Sequence, residues 1–288
     1  MIYKEPHVVA EICCNHQGNI DIAKKMIETA ANGKATVAKF QKRNNKEFLT
    51  DTQYNTPHPN KMHSFGDSYG LHREFLEFNL DQHNELKLYA ESLGIIYSCS
   101  TFDTTSAKEI IKLKPEYIKV PSACNNNFEM LKELRDNYIG NVHISFGMTT
   151  HKQQKEIFDF FDNNDQAFRL VLYACTSGYP VPFDDVCLLE ILRLRKLYAD
   201  KVFAIGFSGH HHGIAVDIAA YTLGAEWFER HFTLDRTWKG TDQVFSLEPT
   251  GMRKLARDLR ATKKSLTYKK NDILDIEKSN GGYEKYRT

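Results

Sequence analysis

Short apolar runs alternate with longer amphipathic stretches from one end of the chain to the other. The runs rich in β-branched and aromatic residues are VVAEICCN from Val8, TVAKFQ from Thr36, IIYSCST from Ile95 and EYIKVPS from Glu116. Then come NVHISFG from Asn141, FRLVLYACT from Phe168, VFAIGFSG from Val202 and EWFERHF from Glu226. Each predicts a strand. Between them, IDIAKKMIETA, NELKLYAESL, FEMLKELRDN and LLEILRLRKLYA place apolar residues at helical spacing, and EPTGMRKLARDLRATKKSL adds a last helix after the eighth strand. Strands that alternate with helices indicate a parallel sheet covered by helices. Eight such units predict a closed (β/α)8 TIM barrel in a single domain, with an open doubly wound sheet as the alternative. The barrel is expected over residues 1–267, and residues 268–288 form a polar C-terminal tail. One interruption, residues 43–80 after the second strand, is rich in Pro, Gly, Asn and His and predicts a long functional loop.

Bulk properties narrow the partners more than the fold. The chain has 288 residues, 41% hydrophobic and 26% charged, and a formal net charge of +1. Such a balance gives no reason to expect nucleic acid or an anionic membrane surface as a partner. There is no apolar signal core at the N-terminus and no stretch as long as a membrane span, so a cytoplasmic location is expected. The six cysteines (Cys13, Cys14, Cys99, Cys124, Cys175 and Cys187) form no CxxC pair and mostly fall in strand runs. They are expected to be reduced, buried thiols.

In a barrel of this kind the C-terminal strand ends form the active face. Polar residues there outweigh polar residues elsewhere. They are Glu11, Asn15 and His16 on the first strand, Lys39 and Gln41 on the second, Ser98 and Ser100 on the third. Lys119 and Ser122 end the fourth, and Ser145 ends the fifth. Thr176, Ser177 and Tyr179 end the sixth, Ser208 and His210 the seventh, Arg230 and His231 the eighth.

Two lysines stand inside apolar strands. An unpaired ammonium at Lys39 or Lys119 would be costly or would lose its proton. Either a structural carboxylate or a bound anion must answer each, and a Schiff-base lysine is the functional rival. His210 and His231 end neighbouring strands and can converge on one metal ion, or be satisfied core histidines. His211 and His212 leave open which member of the triplet faces inward. Asp242, in RTWKGTDQVFSLEP, is either a ligand-orienting carboxylate or part of a solvated turn. Tyr179, before Pro180, is a pocket wall or packing.

Together the motifs AEICCNHQGNIDIAKKMI, VAKFQ, SYGLHREFLEF, YIKVPSACNNN, ISFGMTT, CTSGYPVPFDDV, GFSGHHHGIAVDIAAYTLGAEWFERHFTLDR and KGTD followed by SLEP resemble the sialic acid (N-acetylneuraminate) synthase family. The likeness runs from about Val8 to Leu266. It implies phosphoenolpyruvate and a sugar aldehyde as substrates, and a divalent metal, Mn²⁺ or Mg²⁺, on His210 and His231. It implies that Lys39, Lys119, Ser100, Ser122, Ser145, Ser177 and Ser208 surround phosphoenolpyruvate. Glu11, Gln41, Tyr179 and Asp242 would face the sugar or the metal-bound water. A homodimer stays open.

The implied reaction joins carbon 3 of phosphoenolpyruvate to the aldehyde; water adds at carbon 2 and phosphate leaves, giving a 2-keto-3-deoxy acid. The metal would act as Lewis acid, the two lysines as anion clamp and Glu11 on the proton of the attacking water. The chain departs from the family pattern in four places. It stops soon after the barrel, where members carry an antifreeze-like domain. It has Pro121-Ser122-Ala123-Cys124 where relatives have a glycine-rich turn ending in an acid, Gly209 where Asp is common, and Cys13-Cys14 where glycine and a small residue are common. These departures predict an altered acceptor sugar. The competing classes are a metal-dependent barrel hydrolase or lyase, and a non-catalytic relative. For His63, His72 and Arg73, in or near the long loop, a sugar-phosphate role stands against helix capping or solvation.

Overall fold

A computed structural model describes residues 3–280. Its eight strands are β1 (His7–Cys13), β2 (Val37–Lys42), β3 (Ile96–Thr101), β4 (Tyr117–Val120), β5 (Asn141–Ser145), β6 (Leu170–Cys175), β7 (Ala204–Ser208) and β8 (Trp227–His231). They pair in parallel in chain order and close between β8 and β1. The expected (β/α)8 barrel is the observed fold, and the open sheet is excluded.

The two faces of each strand explain the closure. Outward positions such as Val8, Ala10, Ile12, Ala38, Phe40, Ile118, Val142, Ile144, Leu172, Ile205 and Phe228 are fully or almost fully buried and apolar. They meet the apolar stripes of the surrounding helices, for instance Ala23, Met26, Ile27 and Ala30 of Ile20–Asn32. Each large side chain buried this way contributes about 1.5–3 kcal/mol. Inside the barrel a separate plug of Val9, Val37, Tyr117, Val171, Tyr173, Ala204 and Trp227 fills the floor. Gly206 stands in this layer because a Cβ there would lie 2.7 Å from the Tyr173 ring. Above the plug the inward positions turn polar, with Cys175 on β6 as an exception.

The helices start where side chains cap them. Asn19 accepts from the backbone N–H of Asp21 and Ile22 ahead of Ile20–Asn32. Asn79 with Gln82 and Thr150 with Gln153 form capping boxes before Leu80–Ser92 and His151–Asp162. The helix after β8, Pro249–Ser265, begins on a proline at its first turn and buries Met252, Leu255, Ala256 and Leu259.

Residues 43–80 differ from the loop expected. They hold helices Asn45–Phe48, Asp51–Asn55 and Tyr69–Leu76 and a single 3₁₀ turn, Lys61–His63. These are one or two turns each, too short to show a helical period. Caps specify them instead: Thr50 boxes with Gln53, and Ser68 accepts from the Leu71 N–H. Of the expected C-terminal tail, the described part carries a short helix, Asp275–Asn280, exposed over residues 275–278. Its residues 281–288, like residues 1–2 at the other end, lie outside the described residues.

Candidate active site

Strand register brings the polar layer together. Glu11 pairs with Lys39 on one side and His231 on the other; Ser100 pairs with Lys119, and Ser208 with Glu229. All these side chains point inward, at the C-terminal mouth, into a cavity of about 470 Å³. Its walls include Glu11, Lys39, Gln41, Ser100, Lys119, Ser122, Ser145, Tyr179, Ser208, His210, His231 and Asp242. Every site residue expected from the sequence therefore lines it, except one. Ser177 sits just outside, beside Gly147 and Ser122, with its hydroxyl buried and unpartnered among the described residues.

Both strand lysines have carboxylate partners. Lys39 is in an ion pair with Glu11, donates to Ser100 Oγ at 2.6 Å and lies 3.6 Å from Glu229. Lys119 donates to both Glu229 oxygens at 2.9 Å, with the Tyr173 ring 4.5 Å beneath it. Of the two alternatives left by the sequence, the structure supplies the carboxylates. Glu229 is a member of the site that strand-end reading missed.

The two lysines respond differently. Burial works against the Lys39 charge, but Glu11 and Glu229 outweigh it and hold its pKa above the ordinary value. Burial dominates at Lys119, which shares Glu229 with Lys39, and lowers its pKa. At Glu229 the two ammonium groups overcome burial and hold the carboxyl well below its usual range. Gln41 donates to Glu11 at 2.9 Å and accepts from Arg43, whose guanidinium also donates to Glu77 at 3.1 Å.

The histidine pair lies above this charged floor. The ring centres of His210 and His231 are 5.4 Å apart, and Tyr179 packs 4.5 Å from the His210 ring. His210 Nδ1 lies 3.1 Å from the Thr176 carbonyl, so an N–H there leaves Nε2 as the free lone pair. Burial lowers the His210 pKa to about 3, which keeps the ring neutral. His231 Nδ1 is buried with no hydrogen-bond partner among the described residues, and Asp242 Oδ2 is 3.9 Å away. The neutral His210 ring and the orphaned His231 nitrogen beside a carboxylate suit a divalent cation.

Other strand-end residues are structural. Asn15 donates to the Phe232 carbonyl at 2.9 Å and to Ser246 Oγ at 3.0 Å. His16 stacks on Phe78, and Ser98 donates to the Tyr117 carbonyl. Arg230 points out of the barrel, against His211 and the buried Asp217, and donates to the carbonyls of His211 and Gly213. It thereby holds the turn that presents His210. His211 faces this outer cluster, so of the triplet it is His210 that lines the cavity. Cys124 is buried against the Thr101 and Pro121 carbonyls with its thiol pKa pushed up, so it brings no carboxylate-like charge.

The long segment forms one wall of the cavity with Arg43, His58, Pro59, Asn60, Tyr69 and Arg73. Arg73 donates to Tyr69 Oη at 2.8 Å and to Cys14 Sγ at 3.5 Å. Among the described residues it has no carboxylate within ion-pair distance. His72 is buried, accepts from the Phe65 N–H at 3.0 Å and has its pKa lowered to about 4 by burial and by Arg73. His63 accepts from the Gly240 N–H at 3.2 Å, tying this wall to the turn of Asp242. A second cavity, reached past His58, is lined by Lys61, Ser64, Asp67 and Lys239.

A model described as the NeuB family matches residues 26–271. The chain belongs to the NeuB family. Its relatives include the N-acetylneuraminate-9-phosphate synthases of Mus musculus and Homo sapiens, each 38% identical over 94% of this chain and 74% of theirs. The N,N'-diacetyllegionaminic acid synthase of Campylobacter jejuni is 30% identical over 91% of this chain and 78% of its own. Among solved structures, the N-acetylneuraminic acid (sialic acid) synthetase of Leptospira borgpetersenii, in complex with citrate, superposes with a TM-score of 0.81. It is 26% identical, and the match covers 97% of this chain and 91% of that one. No helix among the described residues of this NeuB-family chain is long and apolar enough to cross a membrane.

Proposed function

We propose that this NeuB-family chain condenses phosphoenolpyruvate with the aldehyde of an open-chain acylated hexosamine, forming a 2-keto-3-deoxy sugar acid and releasing phosphate. One observation carries the reading: two buried lysines, four serines, the His210–His231 pair and Asp242 line a single cavity at the barrel mouth. Lys39 and Lys119, with Ser100, Ser122, Ser145 and Ser208, are the groups for the carboxylate and phosphate of phosphoenolpyruvate. Ser145 Oγ is buried without a partner and gains one from a ligand oxygen. Fixed donors in a water-poor site act on developing charge with little reorganisation.

His210 and His231 are the residues for a divalent cation, Mn²⁺ or Mg²⁺. Bound there, the ion supplies Lewis acidity at the aldehyde oxygen. Asp242 orients His231 and the sugar hydroxyls. Glu11, held between Lys39 and Gln41, is placed to handle the proton of the water that adds at carbon 2. Tyr179 covers the histidine pair from the solvent side.

A charged far end on the acceptor, a sugar 6-phosphate, is favoured by Arg73. Its guanidinium faces the cavity without a carboxylate partner, and Lys61 and Lys239 line the adjoining cavity. The mouse and human relatives are named for a 9-phosphate product. The test is phosphate release from phosphoenolpyruvate with Mn²⁺ across acylated, unacylated and 6-phosphorylated aldoses, with product masses. A mass three carbons above one sugar supports the reading and names the acceptor. Hydrolysis of phosphoenolpyruvate without a sugar adduct would instead favour a hydrolase.

A further inference from the structure

The bulge that ends β1 leaves two thiols, which have no part in the reaction proposed above, beside Asp242 at the rim of the cavity. The β1–β2 register shifts between Glu11 and Cys13, and Cys13 takes a positive φ of 45°. L side chains rarely adopt that conformation, and glycine would adopt it freely. It brings the Cys13 and Cys14 thiols and an Asp242 oxygen within 4.8 Å of one another. Tetrahedral zinc with bonds of about 2.0–2.3 Å sets its ligand atoms roughly 3.5–3.8 Å apart, so little closure is needed.

The surroundings match in charge. Two thiolates and Asp242 carry three negative charges; a divalent cation supplies two positive charges, and Arg73 the third. Arg73 Nη1 is already 3.5 Å from Cys14 Sγ. Cys13 is buried, while Cys14 and Asp242 are half-buried, so an ion can enter from the mouth and keep a fourth position for water. Thiolate sulfur selects soft cations over Mn²⁺ and Mg²⁺, which favour oxygen donors.

We infer that Cys13, Cys14 and Asp242 form a second cation site, selective for a thiophilic divalent ion such as Zn²⁺ or Cd²⁺. Binding there draws Asp242 away from His231, so a soft metal acts as an inhibitor distinct from an ion on the histidine pair. The inference does not rest on the identity of either substrate.

The probe is Cd²⁺, titrated into the full chain in excess Mg²⁺ and followed by the ultraviolet charge-transfer absorption of a cadmium–thiolate bond. One equivalent should give the band. Cys14→Ser should abolish it, and so should Cys13→Gly, which suits the backbone at that position; thermal melting of each variant checks that it is folded. His210→Ala should keep the band. No band in the unmodified chain would overturn the site. So would a band that survives in Cys13→Gly/Cys14→Ser, since another cysteine would then hold the ion. A band lost in folded His210→Ala would make His210 a ligand of the thiolate-bound ion and overturn a separate site.

Discussion

Replacing Glu229 by Gln tests whether the strand lysines depend on protein carboxylates. Glu229 is 7% exposed, donor-bound by Lys119 at 2.9 Å through both oxygens, and 3.6 Å from Lys39. The amide keeps the shape and removes the charge, so Lys119 is left at 1% exposure with no full counter-charge in contact. Breaking a buried pair from one side costs about 3–5 kcal/mol. At about 2–4 °C per kcal/mol, Tm should fall by roughly 6–20 °C. Lys119 can relieve part of this by losing its proton. The variant's folded state then binds fewer protons than its unfolded state, so its loss of stability grows as pH falls from the ordinary lysine pKa toward the lowered one. An anion replaces the missing charge in Glu229→Gln but competes with Glu229 in the unaltered chain. Inorganic phosphate at a hundred times its Kd returns about 2.7 kcal/mol. Because the variant binds phosphate more tightly, a fixed phosphate concentration should raise its Tm more than that of the unaltered chain. Thermal melts by circular dichroism, with and without phosphate, give both numbers. An unchanged Tm, or equal phosphate shifts in the two proteins, would refute the reasoning.

Arg230→Met leaves Asp217, fully buried, without its guanidinium and should destabilise the chain by about 3–5 kcal/mol in urea unfolding; adding Asp217→Leu should return much of that loss. His16 and His83 are buried, with pKa values lowered to about 3, so the unfolded chain takes up protons that the folded chain refuses. Stability is then complete above about pH 6.5 and is lost as pH falls toward 3, by up to about 1.4 kcal/mol per pH unit for each ring. His83→Gln should flatten that slope in pH-dependent denaturant melts. Gly206→Ala forces a methyl group against the Tyr173 ring and should cost about 1–3 kcal/mol; a neutral melt would show that the ring gives way.

The eight strands were legible because their outward faces are predominantly apolar, and helices with caps and amphipathic stripes separate them. The short helices between residues 43 and 80 were not, since a helix of one or two turns shows no period. For the site, the positions of polar residues near strand ends were enough to find Lys39, Lys119, His210 and His231. Their partners were harder. That Glu11 lies beside Lys39 depends on β1–β2 register, which no local pattern encodes. Glu229 was within reach: with His231 inward, period two puts Glu229 inward and Arg230 outward. Treating Arg230 and His231 together as one strand end concealed that opposition. Ser177 lies just past the end of β6, where the alternation no longer predicts direction.

β8 also completes the order in which the site comes into being. It is the last strand made and joins the open edges of β1 and β7. It carries Glu229 and His231 inward, while Arg230 clasps the turn after β7. A nascent chain that stops before Trp227 therefore exposes two unpaired sheet edges and leaves Lys119 without its carboxylate. Ring closure and assembly of the charged floor are one event, so a partly made chain has neither a sealed sheet nor a working pocket.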